Sequence, residues 1–138
     1  MQYFLSLGSN INAKANIIFA IEQLNKILTN TKFSSIHKTK AEGFEGDDFL
    51  NLVVAGESDL NFDDLNEKLK DIENESGRKR DVPKFSARTL DIDIVLQINE
   101  DEILYESDEI EKYSFVSEPL KEVYKWQRNL QLERFTDT

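Results

Sequence analysis

The sequence predicts an α/β fold of the α+β kind, a ferredoxin-like split β-α-β arrangement in which two helices cover one face of an antiparallel sheet. Two observations predict it. Apolar residues follow strand spacing in several short segments and helical spacing in longer ones, and these segments occur in the order β-α-β-β-α-β. The 138 residues, 39% of them apolar, fit one domain that spans 1–138. We expect the other face of the sheet to stay open for a site.

The chain begins with a strand and a helix. Residues 2–7 (QYFLSL) suit a strand, and Gly8-Ser9-Asn10 follows as a turn signal. A helix over about 13–29 is predicted next, because apolar residues recur there at the spacing of one helix face. The residues of that stripe are Ile17, Ile18, Ala20, Ile21, Leu24, Ile27 and Leu28.

Two strands are predicted before the second helix. Residues 32–39 (KFSSIHKT) would form the second strand and residues 49–57 (FLNLVVAGE) the third. The segment between them, 40–48, contains two glycines and four acidic residues and predicts a mobile loop. The single histidine, His37, is interpreted as a strand residue and not as a catalytic group.

The second helix has signals at both ends. Asn61 offers an N-terminal cap with Asp64 three residues later, and Gly77 is placed to end the helix. Its apolar stripe is Phe62, Leu65, Leu69 and Ile72. A short hairpin strand at 102–106 (EILYE) and a helix over about 118–132 complete the prediction. The possible buried face of this last helix is Leu120, Val123, Tyr124 and Leu130.

The strand TLDIDIVLQI, residues 89–98, carries two acidic residues. The face under the helices is expected to hold Leu90, Ile92, Ile94, Leu96 and Ile98, and the open face Asp91, Asp93, Val95 and Gln97. Carboxylates two residues apart on a strand lie about 7 Å from each other and repel unless a cation lies between them. Mg²⁺ prefers such oxygen ligands, so Asp91 and Asp93 are predicted to hold it. The alternative is a pair of solvated surface residues.

A basic cluster precedes this strand. It consists of Arg78, Lys79, Arg80, Lys84 and Arg88, five of the 17 basic residues of the chain. Arginines beside paired carboxylates suit a bound phosphate, with Mg²⁺ on one side and guanidinium groups on the other. The alternative is a solvated loop whose charges pair with the two aspartates. The P-loop motif G-x-x-x-x-G-K-[ST] is absent, which excludes that class of nucleotide enzyme.

Composition narrows the function further. The net charge of −10 disfavours nucleic acid as a partner. No run of about eighteen apolar residues predicts a membrane span, and the N-terminus lacks the pattern of a signal peptide. The absence of cysteine excludes disulfides and thiolate zinc sites, and it fits a cytoplasmic location.

Four segments, taken in order, resemble one enzyme family. FLSLGSNI at 4–11, FLNLVV at 49–54, GRKR at 77–80 and RTLDIDIV at 88–95 are similar to segments of the 6-hydroxymethyl-7,8-dihydropterin pyrophosphokinases, enzymes of folate synthesis. The resemblance covers nearly the whole chain up to Pro119-Leu120. It implies a ferredoxin-like α/β fold and the transfer of pyrophosphate from ATP to the hydroxymethyl group of the pterin, with AMP as the second product.

The resemblance also implies roles for the matching residues. Asp91 and Asp93 would hold two Mg²⁺ ions at the ATP phosphates. Arg78 and Arg88 would be catalytic, because they match arginines that steady the transferring group. The implied ATP contacts are Glu73, Arg80 and the backbone of Ile94. The implied pterin contacts are Thr39, Phe49, Asn51 and Phe115, of which Phe115 would stack on the ring.

The chain departs from the family pattern near the phosphates. Glu106-Ser107 and Tyr113 stand where the family usually has Pro-His and Arg, and Glu102 stands near another expected Arg. We expect an ATP-dependent pyrophosphokinase. The first alternative is a catalytically impaired pterin- or nucleotide-binding protein of the same fold, and the second is a plain interaction domain. As an enzyme, the chain would act on pterin and ATP as a monomer or weak dimer, without nucleic-acid or membrane partners.

Overall fold

The computed structural model describes residues 1–40, 48–77 and 90–124. The described strands are β1 Gln2–Ser9, β2 Thr29–Phe33, β3 His37–Thr39, β4 Phe49–Glu57, β5 Asp91–Asn99 and β6 Glu102–Glu106. The described helices are α1 Ala13–Ile27, α2 Phe62–Glu75, α3 Glu109–Lys112 and the helical residues 114–124, which form α4. Three predicted features lie outside the described residues: most of the loop at 40–48, the basic cluster at 78–88, and the end of the last helix with Leu130.

The strands form one antiparallel sheet in the order β2-β4-β1-β5-β6, and β3 also pairs with β4. β1 therefore lies in the middle of the sheet, and the predicted antiparallel α+β fold is confirmed. The strand predicted at 32–39 is instead two strands. The break falls at Ser34, whose hydroxyl oxygen accepts the Val53 N–H at 2.9 Å and so takes the place of a backbone acceptor.

One face of the sheet is covered by α1 and α2, as predicted. Its core contains Tyr3, Leu5, Leu7, Ile17, Ala20, Leu24, Leu52, Val54, Leu65, Leu69, Leu90, Ile92 and Ile94. The predicted ends of α2 are confirmed. The Asn61 side-chain oxygen accepts the Asp64 N–H at 2.9 Å, and Gly77 follows the helix with a φ of 87°. The apolar stripe of α1 is narrower than predicted, because Ile18 is 49% exposed.

β5 does not alternate without interruption. Leu5 of β1 pairs with Ile94, but Phe4 pairs with Leu96, so Val95 is an extra residue that forms a β-bulge. The bulge reverses the faces of all later residues. The predictions that Leu96 and Ile98 lie under α1 and α2, and that Gln97 lies on the open face, are therefore wrong. Gln97 is buried on the α1/α2 side, where its amide donates to the Tyr3 hydroxyl at 3.1 Å.

The opposite face of the sheet is covered at one end by α4. The core of this second layer contains Phe4, Val53, Ala55, Val95, Leu96, Ile98, Val116, Leu120 and Tyr124. The burial predicted for Leu120 and Tyr124 is thus confirmed. Asp91 and Asp93 lie on this face before the bulge and are partly exposed, so the open face predicted for the site extends over only part of the sheet.

None of the described helices has both the length and the apolar character that a membrane crossing requires.

Candidate active site

Three residues on neighbouring strands form a row across the opposite face. Gly8 of β1 pairs with Asn51 of β4 on one side and with Asp91 of β5 on the other. Because neighbouring strands are about 4.8 Å apart, Asn51 and Asp91 are about 10 Å apart across the Gly8 backbone. The row therefore has an amide at one end, a carboxylate at the other, and a position without a side chain between them.

The amide end of the row is a small polar site in an apolar strand. Asn51 is only 4% exposed, and its amide nitrogen donates to the Thr39 hydroxyl at 2.8 Å. Thr39 in turn pairs with Phe49 across β3 and β4. Thr39, Phe49 and Asn51, three residues predicted for one site, are thus brought together. The bond to Thr39 orients the amide, because a buried amide requires partners.

The fourth residue of that predicted group, Phe115, lies on the same face of the sheet. It is half-buried at the start of α4 and packs against the core of the second layer. Tyr113 stacks on it, with ring centroids 4.8 Å apart and planes inclined by 19°. Tyr113 is one of the residues that replace an expected arginine, and its ring lies over one face of Phe115.

The acidic end of the row contains three carboxylates. Oxygen atoms of Glu73, Asp91 and Asp93 all lie within 4.8 Å of one another. Asp91 and Asp93 are partly exposed, whereas Glu73 reaches the cluster from α2 and is fully buried. Carboxylate oxygens this close suit a hard divalent cation, so the donor set fits the Mg²⁺ that the sequence predicts.

Lys70, on α2, joins this cluster and was not predicted. Its ammonium group lies 3.1 Å from Glu73 Oε2 and 3.2 Å from Asp93 Oδ1, and it donates to the Ile92 carbonyl at 3.1 Å. The Lys70–Glu73 spacing of three residues on a helix marks an ion pair in the sequence. The contact with Asp93 was not visible there, because it depends on where α2 meets β5.

Among the described residues, Glu73 and Lys70 together complete the edge of β5 ahead of its pairing with β6. Glu73 Oε2 accepts the Ile92 N–H at 2.6 Å, and Lys70 donates to the carbonyl of the same residue. In the described residues, β6 pairs with β5 only from Leu96 onward. Two side chains of α2 thus take the hydrogen-bonding positions that a neighbouring strand would fill. The backbone of Ile94 lies further along this edge, and its side chain is buried in the α1/α2 core.

The residues at the positions of the missing phosphate ligands have structural contacts. The Ser107 N–H donates to the Val95 carbonyl at 2.9 Å, which continues the sheet beyond β6. The Ser107 hydroxyl accepts the Glu109 N–H at 3.2 Å, at the start of α3. The predicted site residues Arg78, Arg80 and Arg88 lie outside the described residues.

A second polar cluster connects α4 to β3. His37, the first residue of β3, contacts the Glu122 carboxylate through Nε2. The Ser35 N–H and hydroxyl donate to the same carboxylate at 2.8 and 2.9 Å. These bonds, the Ser35 N–H first among them, lower the pKa of Glu122. The Ser35 hydroxyl and Glu122 approach the same imidazole nitrogen, so this is not the relay of a serine nucleophile.

Comparison with known proteins gives a consistent result. The sequence model of the family described as 7,8-dihydro-6-hydroxymethylpterin-pyrophosphokinase matches residues 4–125. Three relatives are described as 2-amino-4-hydroxy-6-hydroxymethyldihydropteridine pyrophosphokinases. The one from Aquifex aeolicus is 39% identical over 70% of this chain and 61% of its own length. The one from Bacillus subtilis is 34% identical over 87% of this chain and 76% of its own length. The one from Porphyromonas gingivalis is 32% identical over 89% of this chain and 90% of its own length.

The chain spans less than two thirds of the length of the Aquifex aeolicus relative, but most of the Bacillus subtilis and Porphyromonas gingivalis relatives. The family match covers both ends of the row from Asn51 to Asp91, as well as α2 with Lys70 and Glu73. On these matches, the chain belongs to the 7,8-dihydro-6-hydroxymethylpterin-pyrophosphokinase family.

Proposed function

We propose that the protein transfers pyrophosphate from ATP to the hydroxymethyl group of 6-hydroxymethyl-7,8-dihydropterin and releases AMP, as a step of folate biosynthesis. The observation that carries this proposal is the row from Asn51 through Gly8 to Asp91. It places an oriented amide about 10 Å from an acidic cluster, with bare backbone between them. A planar heterocycle held at the amide end can direct a hydroxymethyl group toward the carboxylates.

The pterin would bind at the amide end. Asn51 offers a donor and an acceptor for the polar edge of the ring, and Thr39 orients it. Phe49 and Phe115 offer aromatic surface on the same face of the sheet, with Phe115 as the stacking residue. A ring that lacks the matching polar edge would displace water from Asn51 without replacing its hydrogen bonds, and this makes the site selective.

Asp91 and Asp93 would hold two Mg²⁺ ions at the acidic end. When bound, Mg²⁺ would neutralise the phosphate charge and align the reacting groups for an in-line transfer. The chain itself fixes the positions of the carboxylates that hold the ions. Pairing of β5 with β1 fixes both aspartates on one face, and Glu73 and Lys70 hold the β5 backbone at Ile92. Such positioning accounts for most of the rate enhancement in phosphoryl transfer.

The adenine of ATP would bind at the outer edge of β5. The backbone of Ile94 offers hydrogen-bonding groups between the part of the edge that α2 completes and the part that pairs with β6. Glu73 supports this edge from inside the protein. We assign Arg80 to ATP binding, and Arg78 and Arg88 to catalysis, as the arginines that neutralise the transferring group.

One further observation favours a second candidate function. Ser107 is committed to backbone contacts and the Tyr113 ring stacks on Phe115, so these two positions do not supply the positive charge expected beside a triphosphate. The second candidate is therefore a protein that binds pterin or nucleotide with little or no turnover. A binder of this kind would gain stability from its ligand as RT ln(1 + [L]/Kd).

The activity is tested by AMP release. The protein is mixed with 6-hydroxymethyl-7,8-dihydropterin, ATP and Mg²⁺, and AMP is followed by chromatography. We expect pterin-dependent AMP that is lost in Asp91→Ala and retained in Asp71→Ala, which removes an exposed carboxylate from α2. Well-folded protein that forms no AMP but is stabilised against heat by pterin and Mg-ATP would favour the binding protein.

We also propose that the protein acts in the cytoplasm on these small molecules, as a monomer or weak dimer and without nucleic-acid or membrane partners. The net charge of −10 and the absence of cysteine support this setting. Sedimentation at several protein concentrations tests the state of association.

A further inference from the structure

Lys70 places a positive charge inside the acidic cluster. Its ammonium group is within 3.2 Å of carboxylate oxygens of Glu73 and Asp93. The Lys70 side chain is 30% exposed, whereas Glu73 has no exposed surface. A buried carboxylate requires a partner, so Lys70 is held in place by Glu73 and by the Ile92 carbonyl and is not free to turn away.

The position of this ammonium group conflicts with that of a free divalent cation. Asp93 Oδ1, one of the oxygens that a cation would use, already accepts a hydrogen bond from Lys70. A cation bound between Asp91 and Asp93 would sit within several ångströms of a fixed positive charge. A unit positive charge about 6 Å from a divalent cation lowers the affinity of the site for that cation about tenfold, even when water screens the repulsion.

A nucleotide-bound cation does not meet the same penalty. The phosphates of ATP bring their own negative charge, which the ammonium group of Lys70 attracts. The same lysine thus opposes the bare ion and favours the ion that arrives with phosphate.

We propose that Lys70 is a positioning residue that keeps the Asp91/Asp93 pair from binding free divalent cations tightly, so that the site accepts the cation together with the nucleotide. This inference rests on the proposed function, since it takes Asp91 and Asp93 as the cation ligands. It adds a residue on α2 that discriminates between the free and the nucleotide-bound ion.

The test compares Lys70→Gln with the wild-type chain in two titrations. In the first, Mn²⁺ alone is added and free Mn²⁺ is followed by electron paramagnetic resonance. In the second, Mn²⁺ is added with α,β-methylene-ATP. Glutamine keeps a donor for Glu73 and the Ile92 carbonyl while it removes the charge. Lys68→Gln is the matched control, because it removes the same charge from an exposed position of the same helix. Lys70→Arg keeps the charge.

We expect Lys70→Gln to bind Mn²⁺ alone about tenfold more tightly than the wild type, and to bind Mn²⁺ with the nucleotide analogue no more tightly. Lys68→Gln and Lys70→Arg should stay within about twofold of the wild type in both titrations. If Lys70→Gln folds poorly by circular dichroism, Lys70→Gln/Glu73→Gln is compared with Glu73→Gln, since the buried charge and its partner are then removed together.

Three results would overturn the inference. Equal Mn²⁺ affinity in Lys70→Gln and the wild type would show that Lys70 does not weaken the binding of free cations. It would leave the assignment of Asp91 and Asp93 as cation ligands unaffected. An equal gain in Lys68→Gln would show a general effect of net charge. Wild-type binding of Mn²⁺ that does not depend on Asp91, with or without the nucleotide analogue, would reject the cation site itself, and the inference with it. AMP release remains a separate measure of the proposed activity.

Discussion

Gly8 and Asn51 pair across β1 and β4 so closely that a Cβ atom at position 8 would lie 3.0 Å from the Asn51 side-chain oxygen. The same amide is held from its other end by the hydroxyl of Thr39, at 2.8 Å. The orientation of the amide thus depends on a hydrogen bond on one side and on the absence of a side chain on the other.

Replacing Gly8 with alanine should therefore disturb the amide. The added methyl group would push the Asn51 oxygen aside, and the proposed pterin site would lose its alignment. We expect pterin affinity to fall by about tenfold, equivalent to about 1.4 kcal/mol, in a calorimetric titration of Gly8→Ala.

Gly56→Ala is the control for this effect. A Cβ there would also meet side-chain atoms at 3.0 Å, but those atoms belong to Leu28, the residue that follows α1. We expect this variant to lose about 1–3 kcal/mol of stability through overpacking and to bind pterin unchanged. Equal pterin affinity in both variants would show that the Asn51 amide does not contact the ring.

Glu73 is expected to stabilise the fold as well as the site. Glu73→Ala would leave the Ile92 N–H without its acceptor and Lys70 without its nearest carboxylate, so the free energy of unfolding should fall by about 2–4 kcal/mol. Glu73→Gln, which can still accept the N–H, should lose less. Urea denaturation measures both. Glu75→Ala, at an exposed position of the same helix, should be close to neutral.

Leu120 connects α4 to the sheet. It is 4% exposed and belongs to the core of the second layer, together with Phe4 and Leu96. Leu120→Ala should cost about 2–4 kcal/mol of stability. Because Phe115 is on the same helix, pterin affinity should also fall, which a fluorescence titration would detect. An unchanged affinity in a destabilised variant would mean that α4 does not place Phe115 for binding.

Glu122 should give the protein a pH-dependent contribution to stability. Its pKa is lowered from the ordinary value of 4.5 by the hydrogen bonds from Ser35 and His37, so the folded state favours the carboxylate form. This contribution is present above the ordinary pKa and is lost as pH falls through the lowered pKa. Because Glu122 is exposed, the contribution should be about 1 kcal/mol or less.

The measurement is thermal unfolding of Glu122→Gln at several pH values. The variant should melt below the wild type at pH 7, and the difference should shrink as the pH falls below 4.5. Glu118→Gln, on an exposed position of α4, serves as the control. A constant difference between pH 7 and pH 3 would contradict the assignment.

Much of the fold follows from local patterns in the sequence. Asn61 and Gly77 mark the ends of α2 because the chemistry of caps is local, and Phe49–Glu57 is a strand because both of its faces are apolar. No local pattern in the sequence predicts the β-bulge at Val95. Ile94, Val95 and Leu96 are all apolar, so either register buries hydrophobic residues and only the pairing with β1 decides between them.

The candidate site likewise contains residues that could be predicted from the sequence and one residue that could not. The alternation in the strand at 89–98 predicted that Asp91 and Asp93 share one face, whereas Asn51 and Thr39 were predicted as pterin contacts only through the family resemblance. Lys70 could not be found in this way. Its contact with Asp93 joins a helix to a strand 23 residues away and exists only in the packed structure.

The central position of β1 has a consequence for folding kinetics. Gln2 pairs with Ile98, and Gly8 pairs with Asp91, so the chain must be present up to Ile98 before β1 has both of its neighbours in full. Contacts between residues so distant in the chain close slowly, because the entropy of the intervening segment is lost before they form. β1 and β4 can pair earlier, around α1, and build the amide end of the row. We expect the acidic end to be completed last, so that a partly folded chain would bind neither metal nor nucleotide.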